Sequence, residues 1–79
     1  MILENVASNF NRVGFSNGGS IWFSYQTPVA AQVGSDFCIS ENIWSKTTGK
    51  HLNLVHPDKS KRVPNLEFQA FLQKHFGNI

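Results

Sequence analysis

The sequence predicts a small α+β domain: an antiparallel β-meander of three to four strands with one C-terminal helix packed on it. Three observations favour this architecture. The chain of 79 residues has the length of one domain. Apolar side chains alternate along much of its first half, and a helical apolar stripe lies near its end. Aromatic residues make up 13% of the sequence and charged residues 15%, a balance typical of a folded chain.

Residues 1–12 are predicted to form an N-terminal arm or a short helix. Their apolar side chains recur at intervals of three and four, which suits a helix; they are Leu3, Val6, Ala7 and Phe10. The Asn and Ser residues between them compete with the backbone for hydrogen bonds and weaken such a helix. The two alternatives therefore stay open.

Residues 13–41 are predicted to form the meander. Ser16-Asn17-Gly18-Gly19 suits a hairpin turn, because Asn and Gly tolerate positive φ. Period-two alternation follows, with Ile21, Phe23 and Tyr25 on one face of a strand. Pro28 donates no amide hydrogen, so we expect a bend or a sheet edge there. Tyr25 and Thr27 are assigned to this strand region.

The rest of the chain is predicted as an irregular basic segment over residues 42–62 and a C-terminal helix over residues 64–76. Ser45 or Thr47 could cap a short helix within the basic segment, although Gly49 costs about 1 kcal/mol relative to Ala in a helix interior. The C-terminal helix has an apolar stripe of Phe68, Phe71, Leu72, His75 and Phe76. We treat residues 1–79 as a single domain.

Positive charge is concentrated in residues 44–62. This stretch carries five basic residues against Asp58 alone, whereas the whole chain has a net charge of +2. The basic residues are Lys46, Lys50, Lys59, Lys61 and Arg62. Together with Trp44 and His51 they are candidates for contact with a phosphate backbone or with an acidic protein surface. A solvated loop that keeps the chain soluble is the competing interpretation.

Trp22 is a separate candidate for partner binding. If Ile21 and Phe23 face the helix, Trp22 lies on the opposite face of the sheet. That face is open to water in a two-layer domain, so an exposed Trp would indicate a binding or self-association surface. The alternative is that the N-terminal arm covers this side chain.

Two polar motifs occur, one in the predicted meander and one in the basic segment. The first reads Ser24-Tyr25-x-Thr27-x-Val29-Ala30, and the second reads Ser45-x-Thr47-Thr48-x-Lys50-His51-x-Asn53. Their hydroxyl, imidazole and amide groups either attach the middle segment to the sheet or form a polar surface patch. We assign a structural role to Tyr25, Thr27, Thr47, Thr48 and Asn53, and partner binding to Lys50 and His51.

This pair of motifs resembles a family of small uncharacterised proteins encoded by bacteriophages and other mobile elements. The similarity covers about half of the chain and leaves out the first dozen residues. The resemblance implies a mobile-element origin and a small size, and it implies no established activity. Such an origin favours inhibitors directed at a host and small regulators.

Several chemistries are disfavoured by the sequence, and we assign no catalytic residue, no metal ligand and no cofactor. His51 and His56 have a spacing that zinc sites use, but no Cys pair accompanies them. Thr47-Thr48-Gly49-Lys50 lacks the earlier glycine and the following hydroxyl residue of a phosphate-binding loop. Cys38 would need a nearby base such as His51, and a small packed side chain is the simpler interpretation.

The function expected from these observations is that of a non-enzymatic accessory protein that binds a host protein and inhibits a defence system such as CRISPR-Cas. The alternative is a small nucleic-acid-binding regulator that uses residues 44–62, and a homodimer formed through the Trp22 face is a third possibility. The sequence has no apolar run of membrane-spanning length, no secretory signal pattern and a lone Cys38. We therefore expect the cytoplasm of a bacterial host cell.

Overall fold

A computed structural model describes residues 2–77, and Met1 of the predicted N-terminal arm lies outside them. The described chain folds as one six-stranded sheet with two helices. Strands β1 to β5 are antiparallel neighbours in chain order, and β6 pairs with β5 in parallel. The elements are β1 (Ile2–Ala7), β2 (Phe10–Gly14), β3 (Gly19–Ser24), β4 (Thr27–Val33), β5 (Asp36–Ser40), α1 (Lys46–Val55), a 3-10 turn (Lys59–Lys61), β6 (Arg62–Val63) and α2 (Asn65–Phe76).

The α+β architecture is confirmed, whereas the predicted counts of three to four strands and one helix are wrong. One additional strand is β1, which replaces the predicted arm or short helix. It pairs with β2 through a two-residue turn in which Asn9 has a φ of 58°. Asn tolerates this left-handed conformation better than most residues. The Asn residues that weaken a helix here therefore favour a hairpin.

The segment predicted as irregular contains two further elements: the short strand β6 begins at its end, and helix α1 lies within it. Ser45 caps it, because its side chain accepts a hydrogen bond of 3.2 Å from the Thr48 amide. The buried face of α1 consists of Thr48, His51 and Leu52. Gly49 is tolerated within the helix for a packing reason, since a Cβ there would lie 3.0 Å from the Asn42 amide nitrogen.

One helix lies on each face of the sheet. The α1 side holds a buried cluster of Phe10, Val29, Ala30, Ile39 and Leu52. The α2 side holds a second cluster of Ile21, Ala31, Cys38, Phe68 and Leu72. Neighbouring strand residues such as Ala30 and Ala31, or Cys38 and Ile39, point into opposite clusters, as the period of two requires. The sheet is therefore covered on both faces, and the two-layer arrangement expected from the sequence is incorrect.

The connection between β3 and β4 also differs from the prediction. Tyr25, which the alternation assigns to a strand, lies in a turn with a φ of 57° and 51% of its surface exposed. Its amide donates a hydrogen bond of 2.7 Å to the Asn9 carbonyl, which joins this turn to the β1–β2 turn. Thr27 begins β4, as the strand assignment requires.

Candidate binding surface

Helix α1 presents two lysines on its solvent-facing side. Lys46 and Lys50 are exposed and lie four residues apart, so they occupy one stripe of the helix. Asn53, also exposed, continues the same stripe three residues further on. The opposite side of α1 packs on β3 and β4 through its buried residues. The lysines are thus directed away from the core by the amphipathic pattern of the helix.

Three more cations follow α1 in the 3-10 turn and β6. Lys59 and Lys61 are exposed, and Arg62 is half-buried. The carboxylate of Asp58 accepts hydrogen bonds from the Ser60 hydroxyl at 2.7 Å and the Ser60 amide at 3.0 Å. These bonds, the hydroxyl bond first, lower the pKa of Asp58. The only acid in this stretch therefore serves to cap the turn.

A hydrogen bond connects Arg62 of the second group of cations to the helix that carries Lys46 and Lys50. The Arg62 guanidinium donates through Nη2 to the Asn53 side-chain oxygen at 2.8 Å. Because Asn53 lies at the end of the Lys46–Lys50 stripe, Arg62 continues that stripe onto the sheet edge. We name the set of Lys46, Lys50, Lys59, Lys61 and Arg62 the basic surface.

The basic surface has no internal charge partner in the described part of the chain. Among residues 2–77, the one ion pair within 4.0 Å joins Arg12 to Glu4, at the far side of the sheet. The Nε atom of Arg62 is buried without a hydrogen-bond partner. Unneutralised cations grouped in this way favour an anionic partner, since they attract it over about a Debye length of 10 Å.

An aromatic cluster lies beside the basic surface. The rings of Trp22 and Phe37 meet edge to face at 6.3 Å, and Phe37 lies 6.0 Å from the His56 ring. Phe37 is 37% exposed, and both other rings are half-buried. His56 ends α1 and accepts a hydrogen bond from the Asp58 amide, so the cluster leads directly into the turn that carries Lys59.

Sequence reasoning did not identify Phe37 or take His56 as part of a binding surface. The alternation of β5 does indicate where Phe37 lies. Residues two apart in a strand share a face, and Ile39 faces α1, so Phe37 lies on the α1 side as well. His56 had no comparable signal. Its position depends on where α1 ends, and the sequence predicts an irregular segment there.

Neither tryptophan is fully exposed. Trp22 and Trp44 are half-buried and pack against the cluster under α1. The two alternatives for Trp22 were an open face and cover by the N-terminal arm. In the structure Phe10 belongs to the same cluster, whereas Leu3 and Val6 are exposed. The cover over this face comes mainly from α1.

The polar motifs meet in a buried hydrogen-bond network. The Ser24 hydroxyl lies 2.7 Å from His51 Nδ1 and 3.0 Å from the Thr48 hydroxyl. His51 is 5% exposed, and its ring stacks on Phe10 at 4.7 Å. These groups attach α1 to β3, so His51, a predicted partner-binding residue, lies beneath the surface that carries Lys46 and Lys50. Ser24 belongs to the first motif, but the sequence analysis assigns it no role, because its position in a strand does not show whether its side chain is buried.

The other motif residues lie at or near the surface. Thr47 and Asn53 are exposed on α1, and Thr27 is half-buried at the start of β4. Of these, Asn53 contacts Arg62 directly. The predicted structural set is therefore divided, since only Thr48 belongs to the buried network.

Cys38 and His51 do not form a pair. Cys38 points into the α2-side cluster, whereas His51 lies on the α1 side of the sheet. Burial, and to a smaller extent the charge of Glu67, raises the pKa of the Cys38 thiol. A thiol reacts as its thiolate, so this environment makes Cys38 a weak nucleophile.

Two further findings apply to residues 2–77. No group of three or more His, Cys, Asp or Glu side chains is placed to hold a metal ion within this range. Neither helix of the described chain is long and apolar enough to cross a membrane.

Comparison with known proteins identifies the family of this chain. The fold and surface define a small α+β protein with one basic face. Its residues 1–70 match the profile of a family of unknown function (DUF8033), and the chain belongs to that family. No curated protein and no solved structure is significantly similar to it.

Proposed function

We propose that this protein is a non-enzymatic binding protein whose basic surface contacts an acidic surface of a host protein. The observation that supports this most strongly is the hydrogen bond from Arg62 to Asn53. It joins α1, the helix that carries Lys46 and Lys50, to Arg62, which directly follows the 3-10 turn. Complementary charge of this kind speeds association and selects the partner.

The resemblance of the two polar motifs to small bacteriophage and mobile-element proteins supports a host protein as the partner. A protein of this origin, acting in the host cytoplasm, has defence systems such as CRISPR-Cas among its targets. The proposed mechanism is occlusion: the basic surface occupies an acidic site that the host protein needs for its own ligand. No chemical step is required of the small protein.

A second candidate is binding of single-stranded nucleic acid, and the aromatic cluster favours it. Phe37 and His56 lie next to the turn that carries Lys59 and Lys61. Proteins that bind single strands combine stacking rings with cations that follow the backbone. Aromatic residues are also enriched in protein interfaces, so the cluster alone does not decide between the two partners.

Charge reversal on one helix tests the proposal. Lys50→Glu changes the basic surface, and Lys74→Glu makes the same change on the exposed side of α2. Each tagged variant is incubated with a nuclease-treated bacterial lysate, and the captured host protein is quantified by mass spectrometry. We expect Lys50→Glu to lower capture at least tenfold and Lys74→Glu to leave it unchanged. Equal capture by both variants would contradict a role for the basic surface.

Nuclease treatment and salt separate the two candidates. A complex held by phosphate contacts loses affinity steeply as salt rises, because each neutralised phosphate releases counterions. Two results together would favour nucleic acid over a host protein as the partner. A fluorescent single-stranded oligonucleotide would bind the wild type but not Lys50→Glu, and nuclease treatment of the lysate would abolish all capture.

A further inference from the structure

Strand β1 forms an open edge of the sheet. It pairs with β2 on one side and has no neighbour on the other among the described strands. Its apolar side chains are exposed on both faces, with Ile2 at 70%, Leu3 at 71% and Val6 at 42%. An edge of this kind presents free backbone N–H and C=O groups next to apolar surface, which is a template for another strand.

The usual protection of an edge strand is missing from β1. It contains no Lys and no Pro, and its one charged residue, Glu4, forms an ion pair with Arg12 at 3.2 Å. The opposite edge differs, because β6 has only two residues and Pro64 follows it. The sheet therefore offers one edge that can pair with a strand and one that is too short to do so.

The α2 side of this edge carries an apolar strip. Leu3 lies opposite Val13, and Val13 lies opposite Ile21, so the three share one face. Helix α2 packs mainly on β4 and β5, which lie three and four strands away from β1 in the sheet. Leu3 and the half-buried Val13 are therefore left accessible next to the free edge.

We propose that β1 pairs with β1 of a second copy of this chain in an antiparallel two-fold dimer. A second copy fits because two identical edge strands can pair in antiparallel orientation. The uncharged apolar strip beside the edge then runs from one copy into the other across the two-fold axis. Since only one edge of each sheet can pair, the assembly closes at two chains and does not extend into a fibre. This surface is separate from the basic surface, and the inference is independent of the proposed function.

The register of the pair follows from the geometry of β1. Residues directly opposite each other share a face, and a bulge between Asn5 and Ala7 limits regular pairing to the first part of the strand. Within that part, an axis at Glu4 would oppose two like charges. An axis at Leu3 places the two Leu3 side chains opposite each other and avoids this repulsion.

The size of the edge predicts a weak dimer. Pairing of two short strands with their apolar side chains buries on the order of 1,000 Å² in total, at the lower end of specific interfaces. We therefore expect a reversible equilibrium. Sedimentation equilibrium over a roughly hundredfold range of concentration should show the mass rising from the 8.9 kDa of the chain towards twice that value.

Two matched substitutions test the location of the interface. Leu3→Lys brings two like charges together at the axis, and Leu66→Lys makes the same change at the 85% exposed Leu66 on α2. We expect Leu3→Lys to raise the dimer dissociation constant at least tenfold and Leu66→Lys to leave it unchanged. A wild-type protein that stays monomeric throughout, or a dimer equally stable in both variants, would overturn the proposal.

Oxidative cross-linking tests the register. Leu3→Cys should form an intermolecular disulfide faster than Glu4→Cys, while the native Cys38 is buried and serves as the unreactive background. Absence of cross-linking at Leu3 in a variant that still dimerises would overturn the proposed pairing.

Discussion

Ser24 shows how one small polar side chain connects a strand to a helix. Ser24 is 2% exposed, and its hydroxyl contacts both Thr48 and His51. One order of donors fits both contacts: Thr48 donates to Ser24, and Ser24 donates to His51 Nδ1. The Ser45 hydroxyl can then donate to Thr48 at 3.4 Å. The network therefore links the cap of α1 to β3.

Removal of the Ser24 hydroxyl should destabilise the protein. Ser24→Ala leaves the Thr48 hydroxyl without its acceptor and His51 Nδ1 without its donor in a buried site, which costs about 1–3 kcal/mol of unfolding free energy. Ser16→Ala, at an exposed turn position, is the matched control. Urea denaturation monitored by circular dichroism measures the unfolding free energy of both variants. If the two variants unfold at the same urea concentration, the network contributes nothing to stability.

The roles of single residues were only partly predictable from the sequence. Tyr25 follows the alternation of its strand perfectly, yet it lies in a turn because the chain must reverse there to bring β4 beside β3. His51 lies beside Lys50 in the sequence and on the opposite side of α1 in space. Only a correct helix assignment separates these two neighbours, so the basic charges were identified but the burial of His51 was not.

At the scale of secondary-structure elements, Gly19 allows helix α2 to lie close to the sheet. A Cβ at this position would stand 2.8 Å from the Phe76 ring and 2.9 Å from the Asn17 side-chain oxygen. Asn17 accepts a hydrogen bond from the Gly19 amide at 2.8 Å. It also donates to the His75 carbonyl at 3.4 Å. The turn before β3 thus holds the C-terminal end of α2.

Substitution of Gly19 should loosen this contact. Gly19→Ala forces Phe76 or Asn17 to move, which costs about 1–3 kcal/mol as overpacking. Gly14→Ala is the matched control, because its Cβ would meet nothing closer than 3.7 Å. Urea denaturation should show a lower midpoint for Gly19→Ala alone. A Gly19→Ala variant as stable as Gly14→Ala would mean that α2 does not pack closely at this point.

The two ends of the chain differ in how well the sequence predicts their elements. The C-terminal helix was expected at residues 64–76 and lies at Asn65–Phe76, because its stripe of large apolar residues suits no other structure. The N-terminal residues carry helical spacing and poor helix formers together. The hairpin forms because β2 has a buried partner in β3 and β1 can pair with β2. That long-range pairing leaves no local pattern in residues 2–7.

For the molecule as a whole, the sheet divides the interior into two separate apolar clusters. Leu52 anchors α1 on one side and Leu72 anchors α2 on the other. Neither cluster is large, and a chain of this size has a small margin of stability, at about 0.05–0.15 kcal/mol per residue. Both helices must therefore pack on the sheet for it to stay folded. This includes its two edge strands, β1 and the strand β6 that contains Arg62.

Truncation of either leucine should consequently unfold the whole domain more easily. Leu52→Ala and Leu72→Ala each remove a buried side chain and should each cost about 2–5 kcal/mol, whereas Leu54→Ala changes a residue that is 61% exposed. Because the sheet separates the two sites, their costs should add, and the double variant should be largely unfolded without denaturant. Urea titration, followed by the fluorescence of Trp22 and Trp44 on the α1 side, measures the unfolding free energy of each variant. If Leu72→Ala changes stability while Leu52→Ala matches Leu54→Ala, then α1 does not support the sheet, and the basic surface has no fixed scaffold.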